Sequence, residues 1–317
     1  MIHLVTGAAG FIGSHLCNHL LNNESNTVIA VDNLSSGNAQ HFESLSRFGK
    51  RFIPVIIDVE VLSQLDFGWI GNIDRIWHLA CQASPPAYQK DMLKTLDTCY
   101  LGTRAVLNIA KRTDARILFT STSEVYGDPL EHPQTEEYRG NVNTFGIRSC
   151  YDEGKRVAES LCFTYSSQHG VDIRIARIFN TYGPCMSPED GRVITNYLSA
   201  AQEGRPLEIF GDGSQTRSFC YIDDTLFGLL QLMNCRRSRP VNIGNDKEFS
   251  ILELANIVNE MYGNSLQIIY KELPCDDPVR RKPDLTVARK LLDFYPRVSL
   301  EDGLKAMATW MKIVKGR

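Results

Sequence analysis

The sequence predicts an α/β fold, a doubly wound parallel sheet followed by a smaller C-terminal domain. Three observations point there. Short β-branched runs alternate with longer helical patterns through the first half of the chain. A glycine-rich turn joins the first run to the first helix. After "FNTYGP" (179–184) the alternation gives way to loops, short helices and isolated strands.

The strands follow in order. "IHLVT" (2–6), "TVIAVD" (27–32), "RFIPVII" (51–57), "RIWHLA" (75–80), "RILFTS" (116–121) and "VDIRIARI" (171–178) are short and apolar, as strands covered on both faces must be. Helical stretches separate most of them, notably 88–112 and 148–169. Pro184, Pro188, Pro206 and "ELPCDDPVRRKPD" (272–284) punctuate the second half. The expected division is residues 1–180 for the first domain and 181–317 for the second. Two apolar strips, 219–233 and 240–244, are expected to return to the first sheet, carrying 219–246 with them.

Composition narrows the function. With 317 residues, 43% hydrophobic and 22% charged, the chain has material for about two ordinary domains and a substantial core. A net charge of −3 gives no footprint for nucleic acid or an anionic membrane. No apolar run approaches the ~18 residues of a membrane helix, and "MIHLVTGAAG" has neither the basic region nor the cleavage site of a signal peptide. Nine scattered cysteines, an odd number without C-x-x-C, read as reduced thiols of a cytoplasmic protein.

"VTGAAGFIGSH" follows the first strand and opens a helix, with Gly7, Gly10 and Gly13 spaced G-x-x-G-x-x-G. Such glycines allow a tight turn and let backbone approach a pyrophosphate, which the helix N-terminus then attracts. Phe11 and Ile12 fall in the same turn. Asp32 ends the second strand, followed by Asn33. A carboxylate there accepts both ribose hydroxyls and repels a 2′-phosphate, so the expected cofactor is NAD in a Rossmann-type domain. Asp58, after the third strand, reads either as a partner of the adenine amino group or as a helix cap. His15 and His19 flank Cys17 on the first helix, but no third ligand is evident, so no metal is expected.

"RSCYDEGK" (148–155) places Tyr151 and Lys155 one helical turn apart, on one face. A lysine ammonium near a phenol favours phenolate, as a general base for an alcohol requires. Thr122, at the end of "RILFTST", is placed to orient the substrate hydroxyl while its hydride passes to nicotinamide. These three account for alcohol oxidation but leave Glu124, two residues beyond Thr122, without a task.

The glycine motif, "STSEVYGD", the Tyr–Lys pair, "RIFNTYGP" and "GSQTRSF" resemble the extended short-chain dehydrogenase/reductases that act on nucleotide sugars, over essentially the whole chain. Within them, "HLACQASPP", "STSEVYGDPLEHPQTEEYRGNVN", "RSCYDEGKRVAE", "DGRV" and "DDPVRRKPD" resemble the UDP-glucuronate decarboxylases, or UDP-xylose synthases. The resemblance implies that NAD oxidises UDP-glucuronate at C4, that carbon dioxide leaves from the resulting β-keto acid, and that re-reduction gives UDP-xylose. It places Glu124 at the ring near C5, with Arg281 setting the ring and holding the intermediate. Arg192, Arg217 and Asn180 match positions that hold the UDP moiety, with Tyr221 flanking them.

Ser123 stands on the substrate side where related 4,6-dehydratases carry an Asp, so dehydration is disfavoured. The 4-epimerases usually have no carboxylic acid at position 124. The resemblance also implies a homodimer paired through 88–112 and 148–169. The chain departs from the family at Cys81-Gln82 (usually Ser-Pro), at Cys185 (usually Arg) and at Asp91-Met92 (usually Asn-Pro). Two rival readings stay open: a UDP-glucuronate 4-epimerase or an enzyme releasing the UDP-4-keto-pentose, and a non-catalytic dinucleotide-binding regulator. Such a regulator typically loses the Tyr or Lys of the trio.

Overall fold

The computed structural model describes residues 1–317 apart from 69, 237, 273–279 and 316–317. Cys275 and most of the proline-punctuated stretch 272–284 lie outside the described residues. The first half runs β1 (Ile2–Thr6), α1 (Phe11–Leu21), β2 (Thr27–Asp32), α2 (Ala39–Leu45), β3 (Phe52–Ile56), β4 (Arg75–His78), α3 (Pro85–Lys90), α4 (Met92–Asp97), α5 (Thr103–Thr113), β5 (Arg116–Thr122), α6 (Ser149–His169) and β6 (Ile173–Ile178). The second half adds β7 (Thr181–Tyr182), α7 (Val193–Gln202), β8 (Leu207–Phe210), β9 (Thr216–Ser218), β10 (Cys220–Tyr221), α8 (Ile222–Asn234) and β11 (Val241–Ile243). It closes with β12 (Glu248–Ser250), α9 (Ile251–Met261), β13 (Ile268–Lys271), β14 (Arg280–Arg281), α10 (Thr286–Leu292) and α11 (Leu300–Lys315).

Seven strands form one parallel sheet in the order β11-β6-β5-β4-β1-β2-β3. The chain reverses direction across the sheet between β1 and β4. Such a switch point opens a crevice at the carboxyl ends of the strands. Alternate side chains of each strand feed two cores. Val5, Val28, Ala30 and Leu118 pack with α1, α8 and α10 on one face. Leu4, Ile29, Ile117 and Phe119 pack with α5 and α6 on the other. Burying each such aliphatic side chain contributes about 1.5–3 kcal/mol, and the polar side chains these strands also bury, such as His78 and Arg174, are hydrogen-bonded. A third core lies under the second half, among Leu198, Leu207, Leu254, Met307 and their neighbours.

The apolar strips of the second half divide their work. Residues 241–243 become the seventh strand, beside β6. Leu226, Leu229, Leu232 and Met233 of α8 cover the first sheet. Leu285, Ala288, Leu292 and Phe294, around α10, join the same core, a return for which the sequence carries no obvious pattern.

The stretch 88–112 is a broken helix. Asp91 has extended backbone (φ −142°, ψ 89°), and its carboxylate accepts the Lys94 N–H at 3.0 Å, capping α4. Thr98–Gly102 then form one π turn before α5. At Gly102 a Cβ would meet Val59 Cγ1 at 2.6 Å, so glycine permits the close approach. By contrast α6 runs unbroken to Gly170, whose left-handed φ of 71° ends it.

Candidate active site

A cleft of about 1500 Å³ opens at the carboxyl ends of β1, β2, β4, β5 and β6. Its first wall is the glycine turn, its floor the end of β5 with α6, and its far wall comes from the second half. Gly7 adopts φ +71°, and a Cβ there would stand 2.8 Å from the Ala80 nitrogen. A Cβ on Gly13 would collide with the Gly7 carbonyl oxygen. Gly10 caps α1 with extended backbone and no side chain, so Phe11 and Ile12 begin a helix whose first N–H groups face the cleft without intrahelical partners.

Asp32 sits at the rim beside this turn. Its Oδ2 accepts the Ala9 N–H at 2.9 Å and its Oδ1 the Leu34 N–H at 2.8 Å. Burial pushes its carboxyl up, against these backbone donors, which pull it down. A carboxylate offers about four acceptor positions, so capacity remains for ribose hydroxyls. The absent Cβ atoms and this carboxylate fit a dinucleotide such as NAD. Asn33 lines the cleft and donates to Asp58 at 2.6 Å. Asp58 itself does not line the cleft among the described residues. It pairs with Lys94 at 3.1 Å, and the Asn33 amide and Lys94 hold its carboxyl below the usual range.

Thr122, Tyr151 and Lys155 come together on the floor. Tyr151 and Lys155 project from the buried face of α6, and the Tyr151 phenol lies beside the Thr122 side chain. Lys155 Nζ donates to the Thr120 carbonyl at 2.9 Å and lies 5.9 Å from the Tyr151 ring centre. The expected lowering of the phenol by lysine is not what this arrangement gives. Burial pushes the Tyr151 phenol well up, Cys81 adds to the shift, and the Thr122 side chain only opposes them. The ammonium is committed to a carbonyl while the ring is sealed beneath Tyr88, which stacks on it at 5.0 Å and 4°.

Glu124 follows Thr122 in a short turn that Thr122 caps, its Oγ1 accepting the Glu124 N–H at 3.2 Å. Arg281 on β14 grips the carboxylate with both terminal nitrogens, at 2.6 and 2.8 Å. Arg148, at the start of α6, donates to the same Oε2 at 2.8 Å. Burial alone would raise this acid, but Arg281 and Arg148 outweigh it and hold Glu124 well below the carboxylate range. Arg148, Asp152 and Tyr88 escaped the sequence reading. The signal for two of them was present, since Arg148 lies three residues before Tyr151 and four before Asp152, the spacings of neighbours along a helix.

In the far wall, Arg217 on β9 lies beside Arg281 on β14 in parallel register. Arg192 caps α7 and is held by Asp190 at 2.5 and 2.9 Å. Asn180 and Ser123 also line the cleft. Tyr221 is not brought to it: its ring is buried in the third core, 5.7 Å from that of Tyr182. The departures Cys81, Gln82 and Cys185 all line the cleft, and Cys81 Sγ stands 3.4 Å from Cys99 Sγ. The eight described cysteines are free thiols. His15 bonds the Pro184 carbonyl at 2.8 Å, and among the described residues no three metal-binding side chains cluster. Nor is any described helix long and apolar enough to cross a membrane.

Residues 3–244 match the NAD dependent epimerase/dehydratase family. UDP-glucuronic acid decarboxylase 3 of Arabidopsis thaliana is 49% identical over 304 residues, covering 96% of this chain and 87% of the relative. UDP-glucuronic acid decarboxylase 1 of Xenopus tropicalis is 46% identical, over 95% of this chain and 70% of its own. Among solved structures, the UDP-glucuronic acid 4-epimerase of Bacillus cereus in complex with UDP-glucuronic acid and NAD superposes with a TM-score of 0.87 at 30% identity, covering 99% of this chain and all of the other.

The glycine turn yields a direct test. Gly13→Ala is expected to weaken NAD binding by about tenfold or more, ~1.4 kcal/mol. Calorimetric titration of NAD into wild type and variant checks this.

Proposed function

This chain belongs to the NAD dependent epimerase/dehydratase family and, within it, to the UDP-glucuronic acid decarboxylases; from that premise we propose that it converts UDP-glucuronate to UDP-xylose and carbon dioxide. One observation carries the reading. A buried carboxylate, Glu124, stands two residues from Thr122 and is held by two guanidiniums beside Tyr151 and Lys155.

Gly7, Gly10, Phe11, Ile12 and Gly13 hold the cofactor pyrophosphate, and Asp32 and Asn33 its adenine ribose. NAD, when bound, supplies the hydride acceptor and donor for C4 and adds a positive charge to the site. Arg192, Arg217 and Asn180 hold the UDP moiety, arginine suiting bidentate phosphate contacts. Thr122 orients the C4 hydroxyl and Tyr151 takes its proton, while Lys155, bonded to the Thr120 carbonyl, stands 5.9 Å from the ring as the neighbouring cation. The resulting C4 ketone is β to the C6 carboxylate, so the C5–C6 bond breaks with its electron pair delocalised into the enolate. Arg281 sets the ring through these steps and, with Arg148, offsets the charge that the substrate carboxylate brings beside Glu124. Repulsion between the two carboxylates raises the ground state, and loss of carbon dioxide relieves it. Glu124, held ionised, orients a solvent water that gives C5 its proton, and Tyr151 returns its proton to the C4 oxygen in the re-reduction.

A 4-epimerase reading draws on the likeness to the Bacillus cereus enzyme. Glu124 and the higher identity to the decarboxylases weigh against it. A homodimer paired through 88–112 and 148–169 is supported by the exposed Leu93, Tyr100 and Phe163 in these stretches. The free thiols support a cytoplasmic location.

Proton NMR of the protein with UDP-glucuronate and NAD is expected to show the UDP-xylose anomeric signal, with bicarbonate accumulating. UDP-galacturonate, or no change, overturns the reading. Tyr151→Phe is expected to cut turnover about 10³-fold with NAD binding nearly intact. Glu124→Ala is expected to lower kcat about 100-fold or more with little change in KM; a change in KM alone removes Glu124 from the chemistry. Light scattering at micromolar concentration is expected to give the dimer mass.

A further inference from the structure

Beside the gripped Glu124 lies a second carboxyl that the mechanism does not use. Asp152 is buried on α6, one turn beyond Arg148. Its Oδ1 is buried without a hydrogen-bond partner, and so is Arg148 Nε. Asp152 Oδ2 stands 4.0 Å from that same Nε. One guanidinium therefore sits between two carboxyl groups, bonded to Glu124 at 2.8 Å and a short shift from bonding Asp152. Two buried atoms left unsatisfied on neighbouring groups are costly unless one of the groups is uncharged or the groups close on one another in another state.

We infer that Asp152 is a positioning residue: uncharged, it leaves Arg148 to Glu124 and an incoming substrate carboxylate, and on ionising it draws Arg148 away and weakens binding of the acidic sugar. The inference rests on the UDP-glucuronate reading above. The groups facing Asp152 are Arg148, Cys150 and Glu153 of α6, Glu124 of the turn after β5, Arg281 of β14 and Tyr88 of α3. Burial, and then Glu124, push the Asp152 carboxyl up to about 7, against Arg148 and Arg281. It is therefore neutral below that pH and charged above it.

Charge counting gives the consequence. With Asp152 neutral, Glu124 and two guanidiniums leave one positive charge, which a substrate carboxylate cancels. With Asp152 ionised the cluster is already neutral, and the substrate places an uncompensated negative charge in a buried site. A ligand without the carboxylate does not sense this difference.

The test measures KM for UDP-glucuronate against pH in wild type and Asp152→Asn, with Ki for UDP-xylose, which has no carboxylate, in parallel. Wild-type KM is expected to rise about tenfold or more between about pH 6.5 and about pH 8.5, and the variant to stay within about twofold. Ki for UDP-xylose is expected to stay flat in both. A rise that persists in Asp152→Asn, no rise in wild type, or a matching rise in Ki overturns the inference while leaving the decarboxylase reading intact. Absence of UDP-xylose formation at every pH overturns that reading, and the inference with it. Asp152→Ser, smaller and also uncharged, is expected to give the same flat profile if the asparagine variant does not accumulate.

Discussion

The site depends on one carboxylate gripped from two directions. Glu124 leaves the end of β5, Arg148 stands at the start of α6, and Arg281 arrives on β14, 157 residues downstream of the acid. A buried charge of this kind persists only while paired, and removing one partner from such a pair typically costs about 3–5 kcal/mol. The grip thereby joins the sheet that builds the dinucleotide wall to the strands that build the opposite one. Nearby, β14 lies in register with β9, so the arginine that completes the pair also aligns its neighbour Arg217 with the cleft.

Around that pair the floor is unusually sealed. Tyr88 covers Tyr151, Lys155 is anchored to the backbone of β5, and Thr122 caps the turn beside the phenol. The protein thus holds Tyr151 as a neutral phenol. Cys81 presses on the same phenol from the side and stands beside Cys99.

Much of this was legible in the sequence, and for identifiable reasons. Buried parallel strands must be short and apolar, so β1 to β6 stand out as runs. The glycine turn shows because Gly7 and Gly13 have no space for a Cβ. Tyr151 and Lys155 show because one helical turn is a fixed spacing. What stayed hidden depends on distant contacts. Nothing local says that Arg281 meets Glu124, that α10 covers the first sheet, or that the Tyr221 ring turns into the third core. The break at Asp91 was hidden because aspartate is as compatible with a helix surface as with a cap. The lysine's influence on the phenol was misjudged because spacing gives proximity but not the competing carbonyl of Thr120.

The register of β14 has a consequence for anyone reshaping this cleft. Arg280 is exposed and Arg281 is buried, on alternate faces of one very short strand. Side chains alternate with a period of two, so sliding the strand by a single residue would exchange them. Glu124 would lose its clamp although every amino acid was retained. Grafting this specificity onto another scaffold is therefore a problem of phase, in which the strand's alignment must be transplanted along with its arginine.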